Sequence, residues 1–296
     1  MFDLRYHVAS LAAVFLALII GIVVGVGISG KGFVQNSERR LLNEQIADLK
    51  NRLDSATKRS ADLTRAQRAA QAFVEDAYPT LMSGRLSGTS IGLVFAGPVD
   101  RRVRSLVEQT LSDGGTVPPL RVRALKLPID VSSLRRALKG RPALAALATP
   151  RKIGELGRRL GGEFAAKAGS PLWQALSADL VEERAGNDAV SLDGIVVARS
   201  VPPQTGATAR FLAGFYKGLA STDVPAVGVE VTRPGTSAVE AFAKQDLASV
   251  DDLDSESGRL ALALLLGGAV PGQYGVKKTA RDGVLPDIAP PAPSGG

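Results

Sequence analysis

Four carboxylates fall within six residues in the run Val250-Asp251-Asp252-Leu253-Asp254-Ser255-Glu256, the sharpest polar cluster in the chain. Asp251, Asp252, Asp254 and Glu256 could hold a hard cation through oxygen ligands. The run also lies between an expected strand end and an expected helix start. Asp254 or Ser255 would then be an N-cap, with the other acids favouring the positive helix end. Softer chemistry is restricted by composition. There is no cysteine, one histidine (His7) and two methionines (Met1 and Met82). Thiolate metal sites, disulfides, cysteine nucleophiles and histidine-based triads in the globular part are therefore excluded, and the soft donors that select Cu(I) are scarce. No G-x-S-x-G, Walker A or G-x-G-x-x-G pattern occurs, so no enzyme and no cofactor are expected.

The elements that would position such residues begin at about Ser87. Ser90–Gly97 (SIGLVFAG) is apolar on both faces, as a buried parallel strand should be. Val99–Leu111 reads as a helix with Gly114 as its stop. Pro119–Leu127 reads as a more polar strand near a sheet edge. Helices are expected at Ser132–Lys139, Pro150–Leu160, Pro171–Leu180, Thr205–Ala220, Thr236–Lys244 and Ser255–Leu266. Strands are expected at Gly194–Ser200, Pro225–Val231 and Leu247–Val250. This alternation predicts an α/β fold, an open, mostly parallel, three-layer sheet of Rossmann or flavodoxin-like type. Ligand sites in such sheets lie at the carboxyl ends of the strands, here around Asp100, Thr205 and Asp251.

Val8–Ser29 carries no charge over 22 residues, and a helix of that length rises about 33 Å, enough for a bilayer core. The run is longer than a signal-peptide core and lacks a clear A-x-A site, so an uncleaved transmembrane helix is expected at 8–29 after a short tail at 1–7. Ala9, Ala13, Ala17, Gly21, Gly25 and Ser29 recur every four residues and form a stripe of small side chains. Gly30-Lys31-Gly32 should break the helix. Leu42, Ile46, Leu49 and Leu53 then open a heptad seam that continues through Ala56, Ser60, Leu63, Gln67, Ala70 and Val74. A coiled coil over 35–78 is expected, ended by Pro79. A single amphipathic helix packed on its own domain is the alternative. Together the stripe and the seam predict a homo-oligomer.

Charge is uneven along the 296 residues, whose formal net charge is +7. Val99–Leu160 holds 14 Lys/Arg against 5 Asp/Glu, and Leu180–Leu260 holds 7 against 12. A basic lobe can meet anionic lipid or an envelope polymer, and it is also what ordinary solvated helix faces produce in an Ala/Arg-rich chain. Nucleic acid is not expected as a partner. Lys31, Arg39 and Arg40 flank the apolar run on its C-terminal side, against Arg5 and Asp3 on the other. The positive-inside rule would keep the C-terminal bulk of the chain in the cytoplasm, whereas a short tail before a large domain is the pattern of an exporting anchor. The expectation is a single-pass protein of the cell membrane with an extracytoplasmic α/β domain at 87–276 and a Pro-rich disordered tail at 277–296.

The opening MFDLRYHVASLAAVFLALIIGIVVGVGIS and the stretch VDDLDSESGRLALALLL…GQYG (Val250–Gly275) resemble the mycobacterial copper transport protein B (MctB) family of actinobacterial envelope proteins. The resemblance covers nearly the whole chain in order. It implies an association with copper efflux or resistance, with copper as cargo, and an outer-membrane location with pore formation. The residues alone also admit an envelope scaffold, or an extracytoplasmic domain that binds a protein partner, an envelope polymer or a small ligand without transporting it.

Overall fold

The computed structural model describes residues 4–28, 31–166, 171–186, 190–233 and 235–288. The chain divides into two compact units, Met1–Ala70 and Gln71–Gly296.

The first unit is helical. Helix α1 spans Leu4–Ile28 and α2 begins at Lys31. Gly32 therefore lies inside α2; Gly30 of the expected break, and Ser29 at the end of the expected stripe, are outside the described residues. Tyr6–Gly27 of α1 is long and apolar enough to cross a membrane. Helix α2 continues to Met82 with Pro79 inside it, three residues beyond the expected stop. Proline lacks the N–H that would bond one turn back, yet its carbonyl still accepts from Ser83 N at 3.1 Å. Tyr78 and Met82 on either side are buried, which holds this last turn in place.

The second unit is a mixed α/β structure around a seven-stranded sheet. Its strands are β1 (Ile91–Ala96), β2 (Arg121–Leu125), β3 (Val181–Gly186), β4 (Gly194–Arg199), β5 (Ala226–Val229), β6 (Ala248–Val250) and β7 (Gln273–Tyr274). They lie in the order β3-β2-β1-β4-β5-β6-β7. All neighbours are parallel except the antiparallel pair β2–β3. The strands read as continuous apolar runs because both sheet faces are covered. Val94 and Ala96 of β1 join the core that holds α4 (Val131–Ala137), α6 (Ile153–Ala165), α7 (Pro171–Leu180), α8 (Gly206–Ala220) and α9 (Val239–Ala243). Leu93 and Phe95 join the core that holds the end of α2, α3 (Arg101–Asp113) and α10 (Glu256–Leu266). A one-turn helix, α5 (Pro142–Ala145), completes the set.

The sequence expectation for β2 needs correcting. It is an interior strand, buried along its whole length between β1 and β3, not an edge. Its polar look comes from Arg121 and Arg123, which are buried but bonded. Arg121 donates to the carbonyls of Phe164 at 2.8 Å and Val190 at 2.6 Å, and its guanidinium lies 5.4 Å from the Phe164 ring centroid. Arg123 donates to the carbonyls of Val122 and Ala185. Strand β3 is the edge on that side of the sheet. Its exposed Glu182, Glu183 and Arg184 hid it from an apolar-pattern reading and also blunt that edge against pairing with another chain.

Helices α6 and α8 approach backbone to backbone through glycine. A Cβ at Gly157 would lie 2.2 Å from the Phe211 carbonyl oxygen, and one at Gly214 would lie 1.8 Å from that of Gly154. Trp173, Phe211, Phe215, Tyr216 and Phe242 fill the layer beside this contact, with neighbouring ring centroids 5.0 to 6.5 Å apart.

Candidate functional site

Parallel strands β1, β4, β5 and β6 all end at the same side of the sheet, and the loops that leave them carry most of the polar residues expected to matter. The four acids after β6 are gathered there, but each takes different partners. Asp251 is fully buried and accepts from Val276 N at 2.9 Å, Lys277 N at 3.3 Å and Thr279 Oγ1 at 3.1 Å. Its carboxylate clamps the chain just past β7. Gly275 sits at φ +136°, and a Cβ there would fall 2.1 Å from Asp251 Oδ1. The acidic turn and the Gly-Gln-Tyr-Gly stretch are thus two halves of one contact. Residues 277–288, expected within a disordered tail, are described and bonded here. Lys277 pairs with Glu230 at 2.6 Å, and Asp282 accepts from Gln273 N at 2.7 Å. Residues 289–296 lie outside the described residues.

Asp252 is also fully buried and accepts from the hydroxyls of Ser255 at 2.7 Å and Ser257 at 3.2 Å. Its Oδ1 has no hydrogen-bond partner among the described residues. Burial raises its pKa above the usual carboxylate value, with the charges of Asp251 and Asp254 adding to the rise and the two hydroxyls opposing it. Burial alone would also raise Asp254. The N–H and hydroxyl of Thr232, at 2.6 and 2.8 Å, and Arg102 at 3.0 Å hold it below its ordinary value instead. Glu256 turns back to Arg259 at 2.8 Å. Ser255 caps α10 by accepting from Gly258 N at 2.9 Å. Among the described residues, no group of three or more His, Cys, Asp or Glu side chains is placed to hold a metal ion.

Asp100 caps α3, accepting from Arg102 N at 2.9 Å and Val103 N at 3.1 Å. It also lines a cleft of about 370 Å³ at the ends of β1, β4 and β5. Thr205, the first residue before α8, makes no side-chain cap bond and does not line this cleft. Residues that the sequence did not single out do line it: Arg102, Arg199, Arg233 and Glu230. Only their position at strand ends could have flagged Arg199 and Glu230, which close or directly succeed the apolar runs of β4 and β5.

In the first unit, Ala9, Ala13, Ala17, Gly21 and Gly25 fall on one face of α1. A Cβ at Gly21 or Gly25 would meet nothing within 4 Å. On α2 the seam residues Leu42, Ile46, Leu49 and Leu53 are 55%, 61%, 64% and 66% exposed. Asp48 and Arg52 pair at 2.8 Å beside them.

Comparison with known proteins covers both units. Proteins called copper transporter MctB, from Mycobacterium bovis (strain ATCC BAA-935 / AF2122/97) and Mycobacterium tuberculosis (strain ATCC 25618 / H37Rv), are each 25% identical to this chain over 309 aligned residues. The match takes in 93% of this chain and 96% of each relative. The family model described as copper transport outer membrane protein, MctB, matches residues 1–285, which include the apolar helix, the acidic turn and the segment it clamps. The chain belongs to the MctB family.

Proposed function

We propose that this protein is a membrane-anchored, self-associating envelope component that contributes to copper transport, by efflux, as an assembled scaffold with a folded head. The observation that carries the reading is the family match from the apolar helix through the clamped acidic turn. Helix α1 is the single-pass anchor in the cell membrane, with the head outside the cytoplasm. The exposed seam of α2 pairs with a second copy as a coiled coil, and the small-residue face of α1 continues that pairing in lipid. The head is a doubly wound, Rossmann-like domain. Its strand order runs outward from β1 in both directions with helices on both faces, which supports this assignment. The chain's own donors shape the role. With no cysteine and few histidines or methionines, the head presents surface and shape in place of a soft-metal chelate.

The test is a deletion strain complemented with the intact chain, with a Leu49→Asp chain, or with a chain lacking α1. Restored copper tolerance and restored low cell copper with the intact chain alone are expected. Unchanged copper content in the deletion strain would refute the role. Impermeant thiol labelling of a Ser112→Cys variant in intact cells tests orientation, since Ser112 is exposed on α3.

An envelope scaffold with no part in transport is the second reading, favoured by the exposed seam itself. It predicts that Leu49→Asp alters envelope integrity while copper content stays unchanged.

A further inference from the structure

We propose that the cleft at the carboxyl ends of β1, β4 and β5 binds the phosphoryl group of a small anionic ligand. This inference is independent of copper, because a cleft lined by guanidinium groups repels cations.

The place is set by topology. β2 lies to one side of β1 and β4 to the other, so the chain leaves these two strand ends in opposite directions and a crevice opens between their loops. Gly97 packs behind Ser200 and Val201, which line it. It sits at φ +114°, and a Cβ there would lie 2.5 Å from the Val201 side chain and 2.8 Å from Ser200 Oγ. Glycine alone lets the β1 and β4 loops come this close. The resulting volume, about 370 Å³, falls in the range of small-molecule sites.

The chemistry is set by the charged side chains that line the cleft. Two acids line the cleft, and both are occupied. Asp100 takes two N–H groups of α3. Glu230 takes Ala238 N, the Ser237 hydroxyl and the Lys277 ammonium. Three arginines line it too. Arg102 is tied to Asp254. Arg199 donates from Nη2 to the carbonyls of Thr236 and Ser237, which fixes its plane. Its Nε is buried with no partner among the described residues. Arg233 is exposed beside the cleft. A guanidinium held in place on the cleft wall, joined by a second on the rim with both acids already engaged, suits the charge and oxygens of a phosphoryl group. The loop after β1 is Gly97-Pro98, and proline offers no N–H, so arginine side chains stand where a glycine-rich loop would use backbone.

The experiment is calorimetric titration of the full chain in a zwitterionic detergent. One arm adds glycerol phosphate or pyrophosphate in solution. The other mixes phosphatidylglycerol into the micelle, which separates a soluble ligand from a lipid headgroup. Saturable binding in either arm is expected, weakened about tenfold by Arg233→Ala through loss of one charge-assisted hydrogen bond. Arg199→Lys should weaken it further, and Arg159→Gln on α6, outside the cleft, should leave it unchanged. Among the described residues Arg233 makes none of the bonds that hold the loops, so its variant reads binding even if the Arg199 variant unfolds. No binding in either arm, or equal binding by Arg233→Ala and the native chain, would overturn the proposal.

Discussion

Substitution of Leu49 by aspartate is the sharpest test of pairing through α2. Leu49 lies at the centre of the four strongest seam positions and is 64% exposed in the single chain. Closing a seam over such a leucine removes on the order of 100 Å² from water, about 2 kcal/mol per side chain. A dimer carries the residue twice, so the substitution forfeits about 4 kcal/mol from burial alone. That weakens the dimer by about a thousandfold. Two facing carboxylates add repulsion and desolvation in the same direction. Asn51→Asp is the control. Two residues further along α2, it turns about 200° away from Leu49 and carries the same new charge on the opposite face. Sedimentation equilibrium of the full chain in detergent, over a dilution series, reads the dissociation constants directly. The native chain and Asn51→Asp should match, with Leu49→Asp far weaker. A native chain that is monomeric throughout, or equal constants for the two variants, would refute the seam.

Gly21→Leu combined with Gly25→Leu should weaken association in detergent while leaving the helix content seen by circular dichroism unchanged, because bulk on that face keeps two backbones apart. Gly157→Ala should destabilise the second unit by about 2 kcal/mol, since its Cβ would meet the Phe211 carbonyl at 2.2 Å. Gly140→Ala, where a Cβ meets nothing within 4 Å, should not lower the thermal midpoint. Asp252→Asn should flatten the pH dependence of stability. Burial raises the Asp252 pKa when folded, so the folded state holds its proton more tightly than the unfolded chain, whose value is about 3.9. The native chain therefore loses stability as pH rises from that value through the raised one. Asparagine keeps an acceptor for the two serine hydroxyls, so denaturant melts should show the variant gaining on the native chain towards neutral pH.

Much of the fold is legible because burial on both faces writes uninterrupted apolar runs. β1, β4 and β5 announce themselves this way, and α7 begins at its proline as helices often do. Legibility fails where polar atoms are satisfied by distant backbone. Arg121 and Arg123 make β2 look like an edge until Phe164, Val190 and Ala185 supply carbonyls. β3 is exposed over most of its length, and β7 is two residues long, too short for any period to register. The candidate site divides similarly. The density of acids after β6 is visible, but their partners are not. Arg102 is 152 residues from Asp254, and Val276 is 25 from Asp251. Arg199 and Arg233 carry no pattern at all, since an arginine after an apolar run is ordinary until the strand order places three of them around one crevice.

That distribution of charge bears on how copper would be handled by the proposed assembly. A cation moving through lipid needs donors that replace its water, and unpaired charge at membrane depth is expensive. The apolar helix offers Ser10 as its sole polar side chain between Val8 and Ile28, so several copies of α1 side by side would enclose methyl groups and glycine backbone, a poor substitute for hydration. The head is no better suited. Asp251 and Asp254 are engaged by backbone and hydroxyl donors, Asp252 is pushed towards its neutral form, and the cleft beside them is lined by arginines. Soft donors are nearly absent from the sequence. Each of these features argues against the chain as a copper ligand, and none argues against it as a frame. In this reading the metal path belongs to whatever the paired helices and the heads hold in place, and this chain acts on copper through assembly.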